Sequence, residues 1–226
     1  MNKFIIATWG EWNIFNYNKY FSANPDFTLI TDKEDLTLEN LKEINPKYIF
    51  FPHWSHIIKE EVFSNFNCVV FHMTDLPFGR GGSPLQNLIV RDIKNTKISA
   101  LKVEAGIDTG PIYLKSDLSL EGSALEIFER FSKVVYSEMI PKFISSDLEP
   151  TPQSGEATVF KRRKKEDGSL ENASSLKEAF DYIRMLDAPG YPNAYLEHEK
   201  LAFEFKNAKF DGSNLTATVT IKERDE

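Results

Sequence analysis

The chain has 226 residues, 41% hydrophobic and 27% charged, with a formal net charge of −7. A chain of this size buries a core without disulfides or a structural metal, and its one cysteine, Cys68, has no internal partner. The acidic balance argues against a broad nucleic-acid surface, no run approaches the roughly 20 apolar residues of a membrane span, and the apolar start is too short for a signal peptide, so a reducing cytoplasm is the simplest compartment.

The apolar runs at residues 4–8, 27–30, 48–51 and 68–71 are short and unbroken. Strands buried on both faces of a parallel sheet have this pattern. Between them, Leu38, Leu41 and Ile44 mark a helix over residues 37–44, and residues 57–63 form another short helix. Ser83 followed by Pro84 reads as an N-cap with proline at the first helical position, leading into residues 85–93. The alternation predicts an α/β domain with right-handed crossovers. Residues 97–104 and 111–115 read as a strand pair. Ser123-Ala-Leu-Glu126 is a capping box. It opens a long helix with Phe128, Phe131, Val135, Met139 and Phe143 on its buried stripe and a kink near Pro141. The Pro- and Gly-bearing residues 145–156 read as a linker, dividing the chain into residues 1–150 and a small subdomain at 151–226. In the latter, Ser175-Leu-Lys-Glu178 opens a helix, and residues 194–197, 201–205 and 215–221 form a small antiparallel β unit.

Chemistry concentrates in Phe71-His72-Met73-Thr74-Asp75-Leu76-Pro77-Phe78-Gly79-Arg80-Gly81-Gly82-Ser83-Pro84. A strand ends at His72, where ligands bind in open α/β sheets, and the Arg80-Gly81-Gly82-Ser83 loop exposes backbone N–H groups beside a helix start, which favours anions. The second segment is Gly106-Ile107-Asp108-Thr109-Gly110, by itself a common turn. Facing His72, the Asp108 carboxylate could orient the imidazole and stabilise its cation. No cysteine/histidine cluster has zinc-ligand spacing, so no metal is expected.

His72, Leu76-Pro77, Arg80-Gly81 and Gly106-Ile107-Asp108-Thr109-Gly110 match in order and spacing the hallmark of N10-formyltetrahydrofolate-dependent formyltransferases. The chain resembles that family from Phe4 to at least Ile144, and again through residues 160–168. The resemblance implies a Rossmann-like formyltransferase core with a mainly parallel sheet, plus a small, mostly β C-terminal appendage. It implies N10-formyltetrahydrofolate as cofactor, attack of a substrate amine on the formyl carbon, and His72 and Asp108 as the catalytic pair. It places folate between Trp54, His56, Ile57 and Ile58 on one side and Glu104, Gly106 and Ile107 on the other. Arg80, Gly81, Gly82, Ser83 and Lys161 are expected to meet the acceptor. One departure stands out: the family's asparagine two residues before the histidine is Val70 here. Losing an oxyanion donor can cost about 10²–10³ in rate. Strand alternation turns Asn67 to the opposite face, so His53, past the end of the preceding strand, or an ordered water is expected to substitute.

Among acceptors, the run around Arg80-Gly81-Gly82 most resembles sugar-nucleotide N-formyltransferases, of the type acting on a UDP-linked 4-amino-4,6-dideoxy sugar in surface-glycan biosynthesis. The expected partner is therefore a nucleotide sugar, with no nucleic acid and no membrane. A homodimer is one assembly open to such a chain. The alternatives are a formyltetrahydrofolate hydrolase, an enzyme like methionyl-tRNA formyltransferase, or a non-catalytic folate or sugar-nucleotide binding protein.

Overall fold

The computed structural model describes residues 2–224. By packing, the chain divides into two compact units: one of residues up to 81 with 96–118 and 128–159, the other of residues 82–95, 119–127 and 160 onward. The expected division at residue 150 falls inside the last segment of the first unit.

The first unit is built on a six-stranded sheet of β1 (Lys3–Ala7), β2 (Phe27–Ile30), β3 (Pro46–Pro52), β4 (Cys68–His72), β6 (Asn95–Lys102) and β7 (Ile112–Ser119), in the order β2-β1-β3-β4-β6-β7. The first four are parallel, and β6 runs antiparallel to β4. The sheet is thus mainly parallel, as the unbroken apolar runs implied, because its central strands are covered on both faces. On one face Ile5, Ala7, Ile30, Leu41, Ile49, Phe51 and Cys68 form one buried cluster. On the other, Phe4 stacks on Phe27 at 5.0 Å and Phe50 meets the edge of Phe143 at 5.3 Å.

Helix α1 (Glu11–Tyr20) follows β1 and was not expected. Its inward face carries buried Asn13 and Asn16 where an apolar stripe would signal a helix. Asn16 Nδ2 donates to Ser132 Oγ at 2.9 Å, which satisfies the buried amide. Helix α2 (Leu38–Ile44) starts where expected, with Thr37 Oγ1 accepting from the Asn40 N–H. Helix α3 is shorter than expected, Glu60–Phe63, which leaves residues 53–59 as loop.

The capping box forms: Glu126 N–H donates to Ser123 Oγ, and Ser123 N–H donates to the Glu126 carboxylate. All five stripe residues expected of this helix are buried. The helix runs as α5 (Ala124–Val134), a π turn at Val135–Met139 and α6 (Ile140–Ser145). Pro141 cannot donate to the ladder, and the wider turn just before it accommodates the missing bond.

The second unit holds α4 (Pro84–Ile89), α7 (Leu176–Arg184) and an antiparallel sheet of β9 (Ala194–His198), β10 (Leu201–Phe210) and β11 (Leu215–Glu223) with β10 central. Ser175 Oγ accepts from Glu178 N–H, but the Glu178 carboxylate reaches Ser174 one residue earlier, which displaces the expected box. Arg184 is buried, pairs with Asp181 at 2.6 Å and donates to the Leu120 and Gly122 carbonyls, so this buried charge is paired and hydrogen-bonded. Two-residue strands occur at β5 (Arg80–Gly81) and β8 (Val159–Phe160), and 3₁₀ turns at Lys33–Asp35, Lys165–Gly168 and Leu170–Asn172. Among the described residues no helix is long and apolar enough to cross a membrane.

Candidate active site

His72 is the last residue of β4 and is buried. Its Nε2 lies 2.8 Å from the Gly79 carbonyl oxygen. A carbonyl only accepts, so the ring proton sits on Nε2 and the Nδ1 lone pair is left facing outward from that bond. Nδ1 is 3.5 Å from Asp108 Oδ2. That oxygen also accepts the Gly81 N–H at 2.9 Å. The two motifs therefore meet: the glycine loop holds both the far nitrogen of His72 and the carboxylate of Asp108.

The loop is itself pinned. Gly79 N–H donates to Thr158 Oγ1 at 2.7 Å, and Arg80 N–H donates to the Thr158 carbonyl at 3.0 Å. Asp108 sits in the left-handed region, φ 54°, a conformation that persists only where neighbours hold it. The following glycine is dictated by contact: a Cβ at Gly110 would stand 1.8 Å from the Lys102 carbonyl oxygen.

Gln153, in the stretch expected to be a linker, joins this group. Gln153 Oε1 accepts from Arg80 Nε and Nη2 at 3.1 and 2.7 Å, and its Nε2 donates to the Asp108 and Gly110 carbonyls, each at 2.8 Å. Arg80, expected to meet the acceptor, is thus bonded within the site.

Val70 lies on the His72 face of β4 and packs against the apolar cluster under that face. Asn67 donates to the Lys47 carbonyl, and Thr74 Oγ1 donates to the Gly79 carbonyl. His53 follows β3 with φ 57°. Its ring lies 4.5 Å from Phe128, 4.9 Å from Trp9 and 5.5 Å from Trp12, centroid to centroid. Burial pushes the His53 imidazole down to about 4. The unfolded chain takes up this proton first, from about 6.5. The stability contributed by neutral His53 is therefore present above that value and is lost as pH falls towards 4, by at most roughly 3 kcal/mol. His53→Asn tolerates the left-handed backbone and cannot titrate. Urea midpoints at pH 7 and pH 4.5 are expected to fall further for the wild type than for the variant, and equal losses would refute this.

The residues expected to flank folate lie on two loops. Trp54 packs on Phe51 and His56, Ile58 is half-buried, and Ile57 is 92% exposed. Between β6 and β7, Glu104 and Gly106 are exposed, as is Ile107 at 72%. Among the described residues, Trp54 Nε1 is a buried donor with no hydrogen-bond partner.

Gly82, Ser83 and Lys161 belong to the second unit. There Asn87 Nδ2 gathers all three backbone carbonyls, at 3.0, 3.0 and 2.9 Å. Ser83 is not the side-chain cap expected for α4: it is left-handed, and its Oγ accepts from Arg163 N–H instead. The basic run beginning at Lys161 is interleaved with aromatics, Arg163 over Tyr182 at 6.0 Å and Lys165 over Tyr195 at 5.3 Å.

The fold and the His72–Asp108 pair define an α/β protein with a histidine–carboxylate centre at the end of a parallel strand. The chain belongs to the formyltransferase family that includes methionyl-tRNA formyltransferase. A structure titled methionyl-tRNA formyltransferase from Clostridium thermocellum is 52% identical with a TM-score of 0.96, covering 99% of this chain and 100% of that one. Methionyl-tRNA formyltransferase of Thermodesulfovibrio yellowstonii is 30% identical over 67% of this chain and 52% of its own length, and that of Campylobacter jejuni is 29% identical over 79% and 58%. The chain therefore spans little more than half the length of these curated relatives. Residues 165–222 match the family described as methionyl-tRNA formyltransferase, C-terminal domain. Formyltransferases of this family use N10-formyltetrahydrofolate, the donor the motifs implied. A HypX structure from Aquifex aeolicus, in complex with tetrahydrofolic acid, shares the fold at TM-score 0.74 and 16% identity.

These comparisons overturn the expected nucleotide-sugar acceptor and the expected absence of a nucleic-acid partner. A sugar N-formyltransferase from a Shewanella species matches the whole chain, but at 14% identity and TM-score 0.67, as does a 4-N formyltransferase from Francisella tularensis at the same values over 88% of the chain. Net charge averages over the molecule and does not register a local basic run, and the Arg80-Gly81-Gly82 loop does not by itself distinguish acceptors.

Proposed function

We propose that the protein transfers the formyl group of N10-formyltetrahydrofolate to the α-amine of methionyl-tRNA. The observation that carries this reading is the His72–Asp108 pair, 3.5 Å apart, in a chain 52% identical over its length to a structure titled methionyl-tRNA formyltransferase. The bound donor supplies an electrophilic formyl carbon. His72 Nδ1 takes the proton that the attacking amine gives up and returns it to the departing folate nitrogen, while Nε2–H stays on the Gly79 carbonyl. The Asp108 carboxylate faces the nitrogen where the positive charge develops.

The donor lies against Trp54, His56, Ile57 and Ile58 on one side and Glu104, Gly106 and Ile107 on the other. The exposed apolar Ile57 and Ile107 and the unpartnered Trp54 Nε1 suit a ligand with an aromatic face and a polar edge. His53 serves as N–H donor to the oxyanion. Its support is register: Pro52 pairs with Phe71, and His53 and His72 are the residues that follow them. The compartment that goes with this reading is the cytoplasm.

The acceptor is tested by competition. Charged methionyl-tRNA and a UDP-linked amino sugar are offered together with the donor, and formyl-methionyl-tRNA is expected as the product. Formylated sugar nucleotide alone would reject the reading. In the same assay Lys161, Lys164 and Lys165, all exposed, are changed to Gln. The slope of log KM for tRNA against log salt is expected to fall by about 1 for each lysine that meets a phosphate, with the donor KM unchanged. An unchanged slope would assign the run to plain solvated surface.

A further inference from the structure

The geometry points to Gln153 as the positioning residue that sets the Asp108 carboxylate against His72, an inference that rests on the proposed transfer reaction. Its amide is saturated. The oxygen takes two N–H groups of the Arg80 guanidinium, and the nitrogen gives its two protons to the Asp108 and Gly110 carbonyls. Turning the amide over would set N–H against guanidinium and oxygen against two carbonyls, so the orientation is fixed by its surroundings.

The chain brings Gln153 there through a backbone bridge. Thr151 exchanges both N–H···O bonds with Ile112, at 2.8 and 2.9 Å, so the strand leaving the Gly110 turn carries the segment beside it. Gln153 therefore grips the Asp108 turn on its backbone, while Gly81 N–H grips it on its carboxylate. Asp108 is left-handed at φ 54°, a conformation that costs on the order of 1–3 kcal/mol and that these two grips hold in place. The His72–Asp108 separation of 3.5 Å is at the limit of a useful contact, so a shift of the turn by 1 Å would uncouple the pair.

Arg80 closes the circuit. It lies one residue before Gly81, whose amide holds Asp108 Oδ2. One side chain thus ties the glycine loop and the Asp-Thr-Gly turn to each other, the two motifs whose meeting makes the site. Glutamine is the residue type this needs. Glutamate could hold Arg80 but would present an oxygen to two carbonyls, and alanine would hold neither.

The test compares Gln153→Ala with Gln153→Glu in the full chain. Both are expected to lower kcat by about ten- to a hundred-fold, with KM for donor and charged tRNA within about two-fold, because the loss is of geometry in the reacting complex. Hydrogen exchange at the Gly81 amide, read without any substrate, is expected to accelerate by about ten-fold or more in both variants as Asp108 Oδ2 moves away. Rescue of kcat by glutamate would show that only the Arg80 tether matters and would overturn the proposal. So would a raised KM at unchanged kcat, or a Gly81 amide as protected as in wild type. If the wild-type protein forms no formyl-methionyl-tRNA, the functional reading fails on its own, and the Gly81 amide still decides the positioning role.

Discussion

His72→Ala is expected to lower kcat for formyl transfer by about two to four orders of magnitude in a protein that remains folded. The size follows from the geometry. One ring nitrogen is committed to the Gly79 carbonyl and the other faces Asp108 Oδ2, so both the base and the group that shelters its charge lose their function together. The fold does not depend on the ring in the same degree, because Thr74 Oγ1 also donates to the Gly79 carbonyl and the loop keeps its bonds to Thr158. The check is kcat at saturating donor and acceptor, with circular dichroism to establish folding. A folded variant within about ten-fold of wild type would mean that another group moves the proton.

Gly110→Ala is expected to destabilise the protein by about 3 kcal/mol or more, beyond what an ordinary surface change costs. An added Cβ would lie 1.8 Å from the Lys102 carbonyl oxygen, which is backbone and cannot turn aside. The next bond along, Lys102 N–H to the Pro111 carbonyl at 2.9 Å, fastens β6 to the chain entering β7. Relief of the clash must therefore part this junction and carry Asp108 with it. Urea unfolding measures the effect, and a loss under about 1 kcal/mol would show that the turn has room the geometry denies it.

The parallel strands were legible because burial on both faces writes a continuous apolar run, and β2 in particular begins and ends where residues 27–30 predicted. Helix α1 was not, because Asn13 and Asn16 occupy its inward face in place of an apolar stripe, and the Asn16 amide meets Ser132 only in three dimensions. The N-cap expected of Ser83 is a serine in the right place whose hydroxyl is taken by Arg163, a residue 80 positions away. In the site, His72 and Asp108 stood in motifs and could be read. Gln153 could not: it sits in a polar stretch without periodicity, and its donor bonds go to backbone carbonyls, which leave no trace in residue identity. The expectation of no nucleic-acid partner rested on a net charge of −7, which does not register a local run of five consecutive basic residues, Lys161 to Lys165.

Passage of a formyl group to an amine at the His72–Asp108 centre is read from single-turnover release of tetrahydrofolate. Protein in excess over N10-formyltetrahydrofolate is mixed with charged methionyl-tRNA, with uncharged tRNA, or with buffer. Release is expected only with the charged tRNA, matched one for one by formyl-methionyl-tRNA, and it is expected to vanish in His72→Ala. Release at the same rate in all three mixtures would make water the acceptor and the protein a hydrolase.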